Sequence, residues 1–87
     1  MDQTIKLNIE LGEVIRQWDP FHAGADFYDT EAADVIQAVH QLDDEHELGK
    51  KIKDIYEFSF EESLDLVHCI DLAKKLLEIK NRSACEL

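Results

Sequence analysis

Leu66-Val67-His68-Cys69-Ile70-Asp71-Leu72-Ala73-Lys74-Lys75-Leu76-Leu77-Glu78-Ile79 decides the fold class of this chain. Leu66, Cys69, Ile70, Ala73, Leu76 and Leu77 recur at helical spacing and share one face. Leu72 and Ile79 widen the apolar arc, so the segment reads as the central helix of a bundle. Asp65 stands where its N-cap belongs, while Ser59-Phe60-Glu61-Glu62 matches a capping box and offers an earlier start. Asn81 and Arg82 end the segment, and residues 83–87 are expected to be loosely ordered.

Three weaker helical patterns lie upstream. Leu48, Ile52, Ile55 and Tyr56 form a narrow stripe, with Lys50, Lys51 and Lys53 on its exposed side. Asp44 followed by Glu47 reads as the capping box that opens it. Ala32, Val35, Ile36, Val39 and Leu42 mark a second helix capped by Asp29 or Thr30, with Glu31, Asp34, Gln37 and Gln41 as its solvated face. Leu7, Leu11, Val14, Ile15 and Trp18 mark a first helix, for which Asn8 is an acceptable N-cap. Ile5, Leu7, Ile9 and Leu11 also alternate like a strand, and Ile5 and Ile9 lie off the main stripe. Either the start is extended, or the helix has a second apolar edge that meets a partner. A helix from Asn8, with residues 1–7 loosely ordered, is the preferred reading.

Trp18-Asp19-Pro20-Phe21 holds the chain's single tryptophan and single proline. Pro20 disfavours helix at Asp19 and ends the first helix near Trp18. Asp19 and Pro20 together suit an N-cap and first position, so a short turn through His22 follows, and Gly24 can close it at positive φ. The seven aromatics fall at helix ends in two clusters, Trp18/Phe21/Phe27/Tyr28 and Tyr56/Phe58/Phe60. Eighty-seven residues, 45% of them apolar, with three Gly and one Pro, allow one domain spanning 1–87. The expected fold is all-α: a compact bundle of four main helices with a short turn after Pro20.

The formal charge of −11 is unevenly placed. Residues 1–49 carry twelve acids against Lys6 and Arg16, a local −10; residues 50–87 carry eight acids against seven bases, a local −1. Such a field repels nucleic acid and anionic lipid and favours a basic protein partner, although solubility alone is the blander explanation. No apolar run approaches a membrane span, and Met1-Asp2-Gln3-Thr4 lacks the basic start of a signal peptide. Cys69 and Cys85 fit no metal or redox spacing. A soluble cytoplasmic protein is expected.

Catalytic frames are absent from the sequence. There is no phosphate-binding glycine loop, no H-E-x-x-H, no CxxC and no calcium-binding loop. His22 with Asp26, Asp29 or Glu31 is the only cluster that suggests a metal-assisted enzyme, and its spacing matches no known ligand frame. His40 and His68 sit at the edges of apolar faces, and Cys69 lies inside one, as buried inert cysteines do. Trp18, Phe21, Phe27 and Tyr28, ringed by Asp19, Asp26 and Asp29 with Glu31 beyond, form the candidate binding set. Aromatics among acids suit a partner's basic side chain; the structural alternative makes Trp18 a core anchor and Asp19 a cap.

Trp18-Asp19-Pro20-Phe21, Phe27-Tyr28-Asp29-Thr30-Glu31-Ala32, Ile55-Tyr56-Glu57-Phe58-Ser59-Phe60-Glu61-Glu62, Cys69 and Ala73-Lys74-Lys75-Leu76-Leu77 together resemble the YugE-like family of small proteins from Bacillus and its relatives. The resemblance covers nearly the whole chain after the first few residues. It implies a small all-helical domain in a bacterial cytoplasm, of unknown function, and supplies no activity. The W-D-P element with its acidic, aromatic continuation also resembles some small immunity proteins that neutralise bacterial toxins. The combined expectation is a non-enzymatic acidic module, without cofactor or catalytic residues, that binds a basic protein surface. Self-association through Ile5 and Ile9 is a further possibility.

Overall fold

The computed structural model describes residues 3–21, 24 and 28–85. Four helices follow one another: α1 (Gln3–Trp18), α2 (Asp29–Gln41), α3 (Glu45–Phe60) and α4 (Leu66–Cys85). No described residue is in a strand. Side-chain pairs fix an up-down-up-down arrangement. Asn8 meets His40 while Arg16 meets Asp29, so α2 runs back along α1. Glu45 meets Lys74 while Gly49 lies on Ile70, so α4 runs back along α3.

Neighbours in the ring are α1–α2, α2–α3, α3–α4 and α4–α1, with α3–α4 the most extensive pair. Its closeness has a cause at Gly49. A Cβ there would stand 2.6 Å from Ile70 Cγ1 and 3.0 Å from Ile70 Cα, so the two backbones approach where α3 has no side chain. The core is aliphatic in the helix middles: Leu11, Ile15, Val35, Val39, Leu48, Ile52 and Leu76 are fully enclosed. α4 adds Cys69, Leu72, Ala73, Leu77 and Ile79, the wide arc of a central helix. The radius of gyration, 12.3 Å, is that of a close-packed chain of this length.

Several sequence expectations change. α1 begins at Gln3 and not at Asn8, and the strand alternative falls with it. Asn8 is inside the helix, its Oδ1 2.7 Å from His40 Nε2. Ser59 and Phe60 are the last turn of α3, so the Ser59–Glu62 capping box is unused; α3 ends on Glu61 in the left-handed region at φ 55°. Asp65 caps α4 instead, accepting from Val67 N at 3.0 Å. Asp44 opens α3 as expected, accepting from His46 N at 2.9 Å, one residue earlier than a capping box requires. Neither Asp29 nor Thr30 caps α2, whose N-cap position is Tyr28 with no side-chain cap bond. Past Arg82, α4 continues to Cys85.

Candidate functional site

The candidate residues sit at the end of the bundle where α1 and α3 finish and α2 and α4 begin. Pro20 and Phe21 form the expected turn, and Asp19 has left the helical region for φ 36°. Gly24 holds φ 101°, as a turn-closing glycine does. The Asp19 carboxylate anchors the connection. It accepts from the Tyr28 hydroxyl at 2.5 Å, the short separation typical of a phenol bonded to a carboxylate, and from Gly24 N at 3.4 Å. The same hydroxyl accepts from Phe21 N at 3.3 Å. Tyr28 thus ties together both ends of the α1–α2 connection.

Five aromatics drawn from the two sequence clusters pack as one. Trp18 lies 5.4 Å from Tyr56 by ring centroids, and Tyr28 lies 5.7 Å from Tyr56 and 5.5 Å from Phe60. Phe21 stands edge-on to Tyr56 and 5.1 Å from Phe60, which stacks on Tyr56. The α1 and α3 backbones keep apart, and Trp18 on Tyr56 spans that diagonal. Phe58 turns outward, 88% exposed.

Two hydroxyls in this cluster differ. Tyr28 is partnered; the Tyr56 hydroxyl is buried without a hydrogen-bond partner among the described residues. Burial, reinforced by the Glu31 carboxylate, pushes the Tyr56 phenol far above its ordinary value, so it stays protonated. Burial likewise pushes the Cys69 thiol up to about 11, which removes it as a nucleophile at neutral pH. Glu57 closes the α3–α4 connection: it takes a hydrogen bond from Lys53 and another, at 2.9 Å, from Leu64 N. Those two donors hold its carboxyl below the usual range.

The candidate residues therefore separate. Tyr28 is enclosed, Trp18 and Phe21 are half-buried against the core, and Asp29 is exposed and paired with Arg16 at 3.3 Å. Glu31, expected on the solvated face of α2, is buried instead. His22, Asp26 and Phe27 lie outside the described residues. Asp29 and Glu31 point to opposite surroundings, one to solvent and one inward, so they do not form a shared ligand pair. No group of three potential metal ligands occurs among the described residues. Sequence reasoning missed Tyr56 and Phe60 as members of this cluster. The signal was available: in an up-down bundle the C-terminal ends of the first and third helices share an end.

One further feature runs along the side of the bundle. A shallow groove between α1 and α2 is lined by Ile5, Asn8, Ile9, Gly12, Glu13, Arg16 and Ile36. No described helix is long and apolar enough to cross a membrane. Comparison with known proteins places the whole arrangement. The family model described as Domain of unknown function (DUF1871) matches residues 10–86. A Bacillus subtilis (strain 168) protein, described as uncharacterized protein YugE, is 47% identical over 76 residues, covering 87% of this chain and 88% of its own. A crystal structure of a Bacillus stearothermophilus protein superposes with a TM-score of 0.88 at 47% identity, covering 90% of this chain and 96% of the other.

Proposed function

The chain belongs to the family described as Domain of unknown function (DUF1871), and from its own geometry we propose a non-enzymatic module that receives a basic surface of another protein. The observation that carries the reading is the distribution of charge. From Gln17 to Gly49 there are nine acids and no lysine or arginine. Asp29 presents an exposed carboxylate at the start of α2, and Asp34 another on the side of α2 that borders α3. Trp18 and Phe21 are half-buried at the same end of the bundle, and Tyr28 and Glu31 are enclosed there. Asp26 and Phe27 join the proposed contact by their place in the sequence. Asp19 contributes by holding the connection in shape, since its carboxylate is engaged by Tyr28 and Gly24.

Pull-down with the tagged protein from a native bacterial lysate, at low and high salt, tests the reading. The expected partner is retained at low salt, released at high salt, and weakened several-fold by Asp26→Asn with Asp29→Asn. Asp19 is left intact because its substitution would disturb the fold. Recovery of no specific partner, or binding indifferent to salt and to the double substitution, overturns it.

A further inference from the structure

The outer face of α1 differs from the rest of the first half of the chain. Ile5 and Ile9 are 50% and 52% exposed there, adjoining half-buried Ile36 of α2 across a groove floored by Gly12. Lys6 and Arg16 are the only two basic residues before Lys50; Arg16 lines the groove, and Lys6 flanks it, about 60° from Ile9 around the helix. They stand against Glu13 and Asp29, so the face is electrically balanced on a protein of charge −11. Glu10 turns the other way, where Arg82 of α4 holds it at 3.2 Å. A cationic partner would find its strongest field elsewhere; within the acidic first half of the chain, a strongly acidic partner meets its least repulsive surface here.

The charge order narrows the occupant further. Lys6 and Glu13 lie two helical turns apart, equally far from the midpoint of Ile9 and Glu10. Neither forms an ion pair among the described residues. A two-fold axis through that midpoint would set Lys6 of each copy beside Glu13 of the other, and Ile9 beside its own equivalent. Parallel pairing would oppose like charges. From this face we infer that the protein self-associates as an antiparallel two-fold dimer, α1 against α1, with Ile9 at its centre.

The apolar area is small, so the dimer is weak, with a dissociation constant on the order of 0.1 mM. Its salt dependence has a definite sign. Mutual repulsion of two −11 copies outweighs two exposed ion pairs, so association strengthens as salt rises. This is opposite to the salt response expected for the basic partner proposed above, and the two readings fail separately.

Sedimentation equilibrium over a concentration series reaching about 1 mM, at low and high salt, provides the test. The wild type is expected to dimerise more at high salt, and Ile9→Glu to weaken association at least ~10-fold with an unchanged thermal transition. Lys6→Glu combined with Glu13→Lys keeps the net charge and reverses each pair, so it is expected to associate like the wild type. A monomer throughout, association that weakens with salt, or a dimer untouched by Ile9→Glu overturns the inference. Failure of the double exchange to associate overturns the antiparallel pairing.

Discussion

The two ends of this bundle are closed by different physics. At one end Trp18, Phe21, Tyr28, Tyr56 and Phe60 pack ring against ring, and the hydrogen bonds beneath them are shielded. At the other, Lys80 of α4 reaches across to α2, donating to the Val39 carbonyl and to Asp43, each at 2.8 Å. Val39 lies in the last turn of α2, where carbonyls lack helical partners, so a lysine caps what no residue of α2 can. The aromatic end gains from burial, which salt barely touches. The charged end relies on groups such as Asp43, 88% exposed, whose pairing water and salt weaken. The contrast teaches where stability resides: the bundle is held shut by rings and trimmed by charge.

The largest test breaks the aromatic end outright. Tyr56 touches Trp18, Phe21, Tyr28 and Phe60, so Tyr56→Ala removes the shared centre of the cluster. Urea unfolding is expected to show a loss of about 3–5 kcal/mol. A loss no greater than that of Lys80→Met would abolish the distinction between the ends.

Gly49 sharpens the comparison by marking contact that belongs to neither end. Gly49→Ala drives a methyl into Ile70, first onto its Cγ1 and then against its backbone, which cannot swing aside, and is expected to cost about 1–3 kcal/mol. Gly12→Ala meets only ordinary contacts, the nearest at 3.6 Å, and gains helix propensity of about 0.5–1 kcal/mol. Denaturant midpoints of opposite shift are the expected result. The pair also shows what was legible in the chain. Apolar spacing revealed four helices and nearly all of their inner stripes, because a repeated burial requirement leaves a periodic trace. A single close approach between α3 and α4 leaves no trace beyond one glycine, and Gly49 looks like Gly12 until the neighbour is known.

The candidate site was legible in the same partial way. Trp18, Phe21 and Tyr28 were found because aromatics at a proline turn stand out. Their inward packing was not, since it depends on Tyr56 and Phe60 from a distant segment. Glu31 was misplaced for a similar reason: its position on α2 suggested solvent, whereas the packed bundle buries it close enough to act on Tyr56 of α3. Asp19 was recognised as a constraint on the turn, but its acceptor role toward Tyr28 needed the loop to be closed.

The two buried phenols offer a finer test within the aromatic end. Tyr28→Phe removes the donor to Asp19 and the acceptor for Phe21 N, and is expected to cost about 1–3 kcal/mol. Tyr56→Phe deletes a hydroxyl that has no partner among the described residues, and is expected to raise stability by about 1 kcal/mol. Equal effects would show that ring packing alone, and not polar satisfaction, distinguishes the cluster. At the charged end, Lys80→Met keeps the aliphatic stem and loses the cap, for an expected cost of about 1–2 kcal/mol. Asp43→Asn leaves that cap in place and is expected to cost less than about 0.5 kcal/mol at physiological salt.

The smallest effect concerns the charged clasp that the aromatic end does possess. Glu57 accepts from Lys53 and from Leu64 N, and both donors favour its ionised form. Its folded pKa therefore lies below its unfolded one, so the unfolded chain binds its proton first as pH falls. The stability that Glu57 contributes is present above the unfolded carboxyl range and is lost as pH drops through the lower folded value. Glu57→Gln removes that dependence while keeping an acceptor for Leu64 N. Urea midpoints of wild type and Glu57→Gln are expected to differ most near neutral pH and to converge in acid. A gap that persists unchanged into acid would mean that the clasp acts by shape and not by charge. The Tyr28 bond to the Asp19 carboxylate would then be the charged contact left at the aromatic end, and the contrast between the two ends would sharpen.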